Sequence, residues 1–175
     1  PLRPKLAVSS ARSLPLTVVR ARSLKPEALP LLQRLAEQCR LLEDLPAAEE
    51  LYEQLLSKLP APTVRERLAQ LYMKEKRYPE AIAVYRQLIR MKPDLDSFVL
   101  CLAWALKDNG EVEEAVAQFE KLFQKELARR VFTGFAFDEL VRLFRETKQH
   151  DRLVEVCERA VAVQSKDLAL LYTMG

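Results

Sequence analysis

From about residue 29 onward, apolar residues recur at three- and four-residue intervals, the spacing that lines one face of a helix. The pattern also repeats on a longer scale. Leu35-Ala36, Leu68-Ala69 and Leu102-Ala103 stand 33 and 34 residues apart, and Ala48, Ala81 and Ala115 follow at the same intervals. Each of these alanines has an aromatic residue four positions on: Tyr52, Tyr85 and Phe119. The spacing predicts units of two amphipathic helices joined by a short turn. A small residue such as Ala81 lets the second helix approach the first, and Tyr85, one turn on, fills the space beside it. Pro60 and Pro93 close the first two units, because proline cannot continue a helix. Pro46 and Pro79 fall in the first turn of the second helices, where a missing N–H costs nothing. Gly110 takes the turn position in the third unit.

A fourth unit is degenerate. Leu140-Val141, Phe144, Leu153, Cys157 and Ala160 repeat the pattern 38 residues after the third, which places four extra residues near Arg129 to Thr133 as a lengthened second helix or a turn. Leu153, where an alanine belongs, implies a wider helix–helix approach. The expected organisation is an arm over 1–28, units over 29–61, 62–95, 96–133 (with the insertion) and 134–167, and over 168–175 the start of a truncated fifth unit or a capping helix. Leu168, Leu170, Leu171 and Tyr172 would cap a repeat array poorly, so the chain reads as a fragment or as a face covered by a partner.

These residues resemble the tetratricopeptide repeat family, whose pattern is W-x2-L-G-x2-Y…A-x3-F…P at a 34-residue period. The second unit matches best, through Leu68, Ala69, Tyr72, Ala81, Tyr85 and Pro93. Alanine stands at 36, 69 and 103 where the family keeps glycine, and Leu32, Arg65 and Val99 occupy its Trp position. The resemblance implies an all-α, right-handed α-solenoid of helix-turn-helix repeats, with first helices lining a concave groove. Groove positions carried over on that basis include Gln70, Met73, Leu100, Trp104, Lys107, Arg142 and Arg145. Trp104 is the only tryptophan, and an aromatic beside arginines is typical of binding hot spots. The family's clamp for the terminal carboxylate of chaperones maps onto Gln33, Glu37, Arg67, Ser97 and Cys101, none of which matches, so that route is disfavoured.

Composition sharpens this picture. Three glycines in 175 residues, against roughly 7% in average usage, leave little for glycine-dependent β and phosphate-loop folds. The net charge of +3 divides unevenly: residues 1–26 hold six basic side chains and no acid, so 28 − 6 leaves 22 basic against 25 acidic in the rest. A body near neutrality argues against nucleic acid as a partner. No apolar run reaches the length of a membrane span. Cys39, Cys101 and Cys157, at least 56 residues apart, read as buried reduced thiols and fit a cytoplasmic location.

Catalytic motifs are lacking, and His150, the single histidine, reads as a packing or capping residue. Glu49-Glu50 and Glu113-Glu114 are expected to face water at the start of second helices. The sequence therefore implies a non-catalytic scaffold without cofactor or metal, binding a peptide or protein segment in the groove. A homo-oligomer through the terminal repeats is a further expectation. The alternative is an assembly or docking region of a larger multidomain enzyme or secretion complex.

Overall fold

The structure is a computed structural model that describes residues 29–129 and 133–163. The basic arm and the expected fifth unit lie outside the described residues. Eight helices occupy them: α1 (Leu29–Leu41), α2 (Leu45–Lys58), α3 (Pro62–Lys74), α4 (Tyr78–Met91), α5 (Asp96–Asp108), α6 (Val112–Arg129), α7 (Phe135–Glu146) and α8 (His150–Val163). No strand occurs among the described residues. This is an all-α helical-repeat fold.

The turns inside the helix pairs are copies of one another. Glu43, Lys76, Gly110 and Lys148 all adopt positive φ, between 56° and 85°. The next residue in each case sends its N–H back five positions: Asp44 to Cys39, Arg77 to Tyr72, Glu111 to Leu106 and Gln149 to Phe144, all at 2.9 Å. A second bond runs from the left-handed residue itself to the carbonyl three positions back, completing a Schellman motif. The residue that ends one helix then starts the next, its carbonyl accepting from Ala48, Ala81, Ala115 or Leu153. A glycine suits the left-handed position best, yet only Gly110 supplies one.

The chain divides into two compact units, 1–64 and 65–175. In the first, α1 packs on α2. Leu32 and Ala36 meet a face made of Ala48, Leu51, Tyr52 and Leu55, all buried. Pro46 stands in the first turn of α2, and the Asp44 carboxylate caps that helix by accepting from the Ala47 N–H at 3.4 Å.

In the second unit α4 packs on α5, α5 on α6, α6 on α7 and α7 on α8. Alanines 81, 103, 115 and 160 are fully buried, which permits the close approaches their size predicts. Phe119, Phe123 and Phe144 fill the space between them, each contributing roughly 1.5–3 kcal/mol of burial. Phe123 and Phe137 join α6 to α7, with ring centroids 5.9 Å apart. Leu153 is only half-buried, unlike the alanines whose place it takes.

Second helices are linked by ions. Arg86 pairs with Glu114 at 2.7 Å, and Arg152 reaches Glu120 at 3.0 Å and Glu113 at 3.6 Å while stacking over Phe144. Glu113 and Glu114 thus face arginines of neighbouring helices rather than water alone, because one helix width separates those side chains. Glu49 and Glu50 are half-buried, not water-facing. His150, as the first residue of α8, is exposed and packs no core. Of the cysteines only Cys157 is buried, while Cys39 and Cys101 are half-buried on helix flanks. Burial raises all three thiols above their ordinary value, with Asp44 adding to the effect at Cys39.

At 18 residues, α6 is one turn longer than the 14-residue α4. Leu127 stands where Pro60 and Pro93 end the earlier second helices, so nothing stops α6 there. Among the described residues no helix is long and apolar enough to cross a membrane.

Candidate functional site

The partner-contact candidates sit on three first helices: Gln70 and Met73 on α3, Leu100, Trp104 and Lys107 on α5, and Arg142 and Arg145 on α7. On α5 the buried set Val99, Leu102, Ala103 and Leu106 faces the core. That leaves Leu100, Trp104 and Lys107, at i, i+4 and i+7, as a half-exposed strip. On α7, burial of Phe137, Leu140, Val141 and Phe144 turns Arg142 and Arg145 outward.

Three of the seven candidates meet at one carboxylate. The Trp104 Nε1–H donates to Glu139 Oε1 at 3.2 Å, and Lys107 Nζ donates to Oε2 at 3.1 Å. Arg142 Nη2 donates to the same Oε2 from one turn along α7. The Glu139 and Lys107 side chains are only 16% and 20% exposed, whereas Arg142 is 50% exposed. The network therefore holds two cations and one anion, with the indole fixed between helices.

Sequence reasoning missed Glu139. Its one sequence signal is the three-residue spacing to Arg142, which suits an ion pair along a helix. The remaining candidates lie outside the network. Gln70 bonds along α3, donating to Glu66 and accepting from Arg67, each at 3.3 Å. Met73 is half-buried, and Arg145 is exposed with no ion pair among the described residues.

The positions that map onto the family's carboxylate clamp are otherwise engaged. Glu37 accepts from Arg40 at 3.1 Å and from the Tyr52 hydroxyl at 2.9 Å. The Tyr85 hydroxyl bonds to the Cys101 thiol. Burial, first, and then Cys101 and the nearby Glu66 push the Tyr85 hydroxyl far above its ordinary value. Tyr85 is thus neutral and structural. No group of three or more His, Cys, Asp or Glu side chains that could hold a metal ion occurs among the described residues.

Leu100 also borders a cleft of about 400 Å³ that the sequence did not foreshadow. Its apolar wall is Leu100, Leu122, Phe135 and Ala136. Its polar side includes Glu126 and Arg129 from the extra turn of α6, with Asp96 and Thr133. Asp96 is bound by Lys125 and Arg129, each at 2.7 Å. Those cations hold its carboxyl below the ordinary carboxylate range, Lys125 having the larger effect. Gly134, at φ 85°, opens α7 beside the cleft.

Residues 42–96 match the family model of the tetratricopeptide repeat. The chain is also similar to the human protein O-mannosyl-transferase TMTC1, at 24% identity over 120 residues. That match takes in 69% of this chain but spans only 13% of the length of the relative. Among solved structures, the C-terminal part of a repeat protein from Cytophaga hutchinsonii superposes with a TM-score of 0.71 at 14% identity, over 90% of this chain and 64% of that one. MamA from Desulfovibrio magneticus gives 0.63 at 12% identity, covering 83% and 81%. The Sgt2 repeat domain from Aspergillus fumigatus gives 0.58 at 19% identity, covering 73% and 83%. At such identities the structural likeness concerns the fold. Repeats of this kind serve in general as protein-interaction scaffolds. The chain is a tetratricopeptide-repeat protein, matched to that family directly over residues 42–96, with an all-α helical-repeat fold.

Proposed function

We propose that this chain is a non-catalytic scaffold that holds a peptide or protein segment against the first helices of its second unit, at Leu100, Trp104, Lys107, Arg142 and Arg145, with Gln70 and Met73 on α3 extending the surface. The single observation that carries the reading is the half-exposed indole of Trp104, held in place by Glu139 between two cations. A fixed aromatic loses little conformational freedom on binding, which is why such residues dominate interface energetics. Arg145, which has no ion pair among the described residues, and the half-exposed Arg142 favour acidic groups on the partner. Glu139 already engages Lys107 and Arg142, so the preference for acids rests more on Arg145 than the sequence implied. On this reading the chain has no cofactor, no nucleic-acid partner and a cytoplasmic setting, and terminal repeats could pair two copies.

Selection of a displayed peptide library on the immobilised chain tests the proposal. Enriched peptides are expected to be rich in Asp and Glu and to bind the Trp104→Ala variant about tenfold or more weakly, at least 1.4 kcal/mol. Retained helicity by circular dichroism guards against misfolding. Enriched peptides that bind both proteins equally would overturn the assignment.

A second reading, an assembly region of a larger multidomain enzyme or secretion complex, draws on the human relative, of whose length the match spans 13%. It is compatible with the same binding face and differs in what the face serves.

A further inference from the structure

The cleft beside the extra turn of α6 has no part in that binding face except at Leu100. Its volume, about 400 Å³, lies within the range of ligand pockets and suits one or two peptide side chains. Its apolar wall offers Phe135, 60% exposed, together with the half-buried Leu100 and the buried Leu122 and Ala136. A large aliphatic or aromatic group would remove that surface from water.

The charges select what stands next to that group. Arg129 and the neighbouring Lys125 are both engaged by Asp96. Glu126 is left half satisfied. One carboxylate oxygen, Oε1, accepts from the Thr133 hydroxyl, while Oε2 is buried and has no hydrogen-bond partner. An unpaired carboxylate oxygen is an unfavourable arrangement that a donor relieves, and a cationic donor relieves it most. Rotation about the terminal side-chain bond exchanges the two oxygens, and Thr133 is exposed and free to turn aside. A donor entering the cleft can therefore reach the carboxylate. An acidic group in the same place would meet Glu126 with like charge.

We infer that this cleft docks a peptide segment of a protein partner in which a large apolar side chain stands next to a lysine or arginine, the apolar group resting on Leu100, Leu122, Phe135 and Ala136 and the cation pairing with Glu126. This goes beyond the Trp104 face, which favours acids. The two sites would read different parts of one partner, or different partners.

The test titrates the isotope-labelled chain with three blocked dipeptide amides: leucyl-lysine, leucyl-norleucine and leucyl-glutamate. Backbone amide shifts of Gly134, Phe135 and Ala136 report on the cleft, and the Trp104 indole signal reports on the other face. The lysine probe is expected to shift the cleft signals and to bind about fivefold or more tightly than the norleucine probe, with the glutamate probe weakest. Glu126→Gln keeps the side-chain shape and should reduce the lysine preference to less than about twofold while leaving norleucine binding unchanged. Raising salt to about 0.5 M should weaken the lysine probe alone, a readout that needs no variant. Equal affinity for lysine and norleucine would overturn the inference. So would a preference that survives Glu126→Gln, or shifts centred on the Trp104 indole instead of the cleft. None of these results would touch the Trp104 proposal, whose own test reads a different residue.

Discussion

Removing Glu139 tests whether the Trp104 network is a shielded unit or an incidental surface pairing. Glu139→Ala takes the acceptor from three donors at once. Hydrogen bonds to charged groups contribute about 1.5–3 kcal/mol each when shielded, and exposed ion pairs about 0–1 kcal/mol. The Lys107–Glu139 pair, with side chains 20% and 16% exposed, belongs near the lower end of the first range. Arg142 is 50% exposed and turns readily to water, so its share is small. The indole N–H, left half-buried without an acceptor, adds roughly 1 kcal/mol. Donors that recover water offset part of this, which leaves an expected destabilisation of about 1.5–3 kcal/mol. Glu139→Gln retains an acceptor for Trp104 and should lose only about 1 kcal/mol. Urea unfolding followed by tryptophan emission gives the numbers, and because Trp104 is the only tryptophan, the signal has one source. An unchanged denaturant slope would confirm that the folded state alone is affected. The folded-state emission maximum should move more in Glu139→Ala than in Glu139→Gln. If the alanine variant stays within about 0.5 kcal/mol of the parent and its emission is unchanged, the argument from shielding fails.

Two further outcomes follow from the turns and the cleft. Lys76→Gly relieves a left-handed residue, at roughly 1–2 kcal/mol, against roughly 0.4–1 kcal/mol of added unfolded-state entropy. It should raise stability by about 0.5–1 kcal/mol in chemical denaturation. Gly110→Ala should lower stability by a similar amount through backbone conformation alone, since an added Cβ there meets nothing within 4 Å. A stabilising Gly110→Ala would refute the reading of these turns. Asp96 has a folded value held below its ordinary 3.8 by Lys125 and Arg129, so its contribution is present above that pH and lost as pH falls through the lowered value. Asp96→Asn should flatten the acid limb of the stability profile below about pH 4. An acid limb identical to the parent's would show that the pairing does not couple to folding.

Much of this molecule was legible before its coordinates, for local reasons. Alanines 48, 81 and 115 with their aromatics four positions on mark where two helices must approach and what fills the gap, and they are buried as their size demands. Pro46 and Pro79 announce second-helix starts because proline fits only there. The turn residues were less legible. Glu43, Lys76 and Lys148 carry no composition signal for a left-handed backbone, and only the Schellman bonds around them reveal it. The half-buried Cys39 and Cys101 departed from expectation because helical periodicity locates a face only to within about one residue's arc.

The sequence by itself determined the all-α class, the repeat period and the helix pairing, since those follow from periodic burial within some 34 residues. It also marked Trp104, Arg142 and Arg145 as residues of interest, because rarity and charge are visible in a string. Only the tertiary structure decided which charges remain available. Glu139 and Lys107 are 32 residues apart, and Glu139 neutralises part of the face only because α5 and α7 bring the two side chains to 3.1 Å. The same holds for the cleft: Leu127 in place of a proline lengthens α6, but that the added turn sets Glu126 beside an apolar wall depends on where α5 and α7 run. Pairing and burial of charge are properties of distance in space, and a one-dimensional pattern records only distance along the chain.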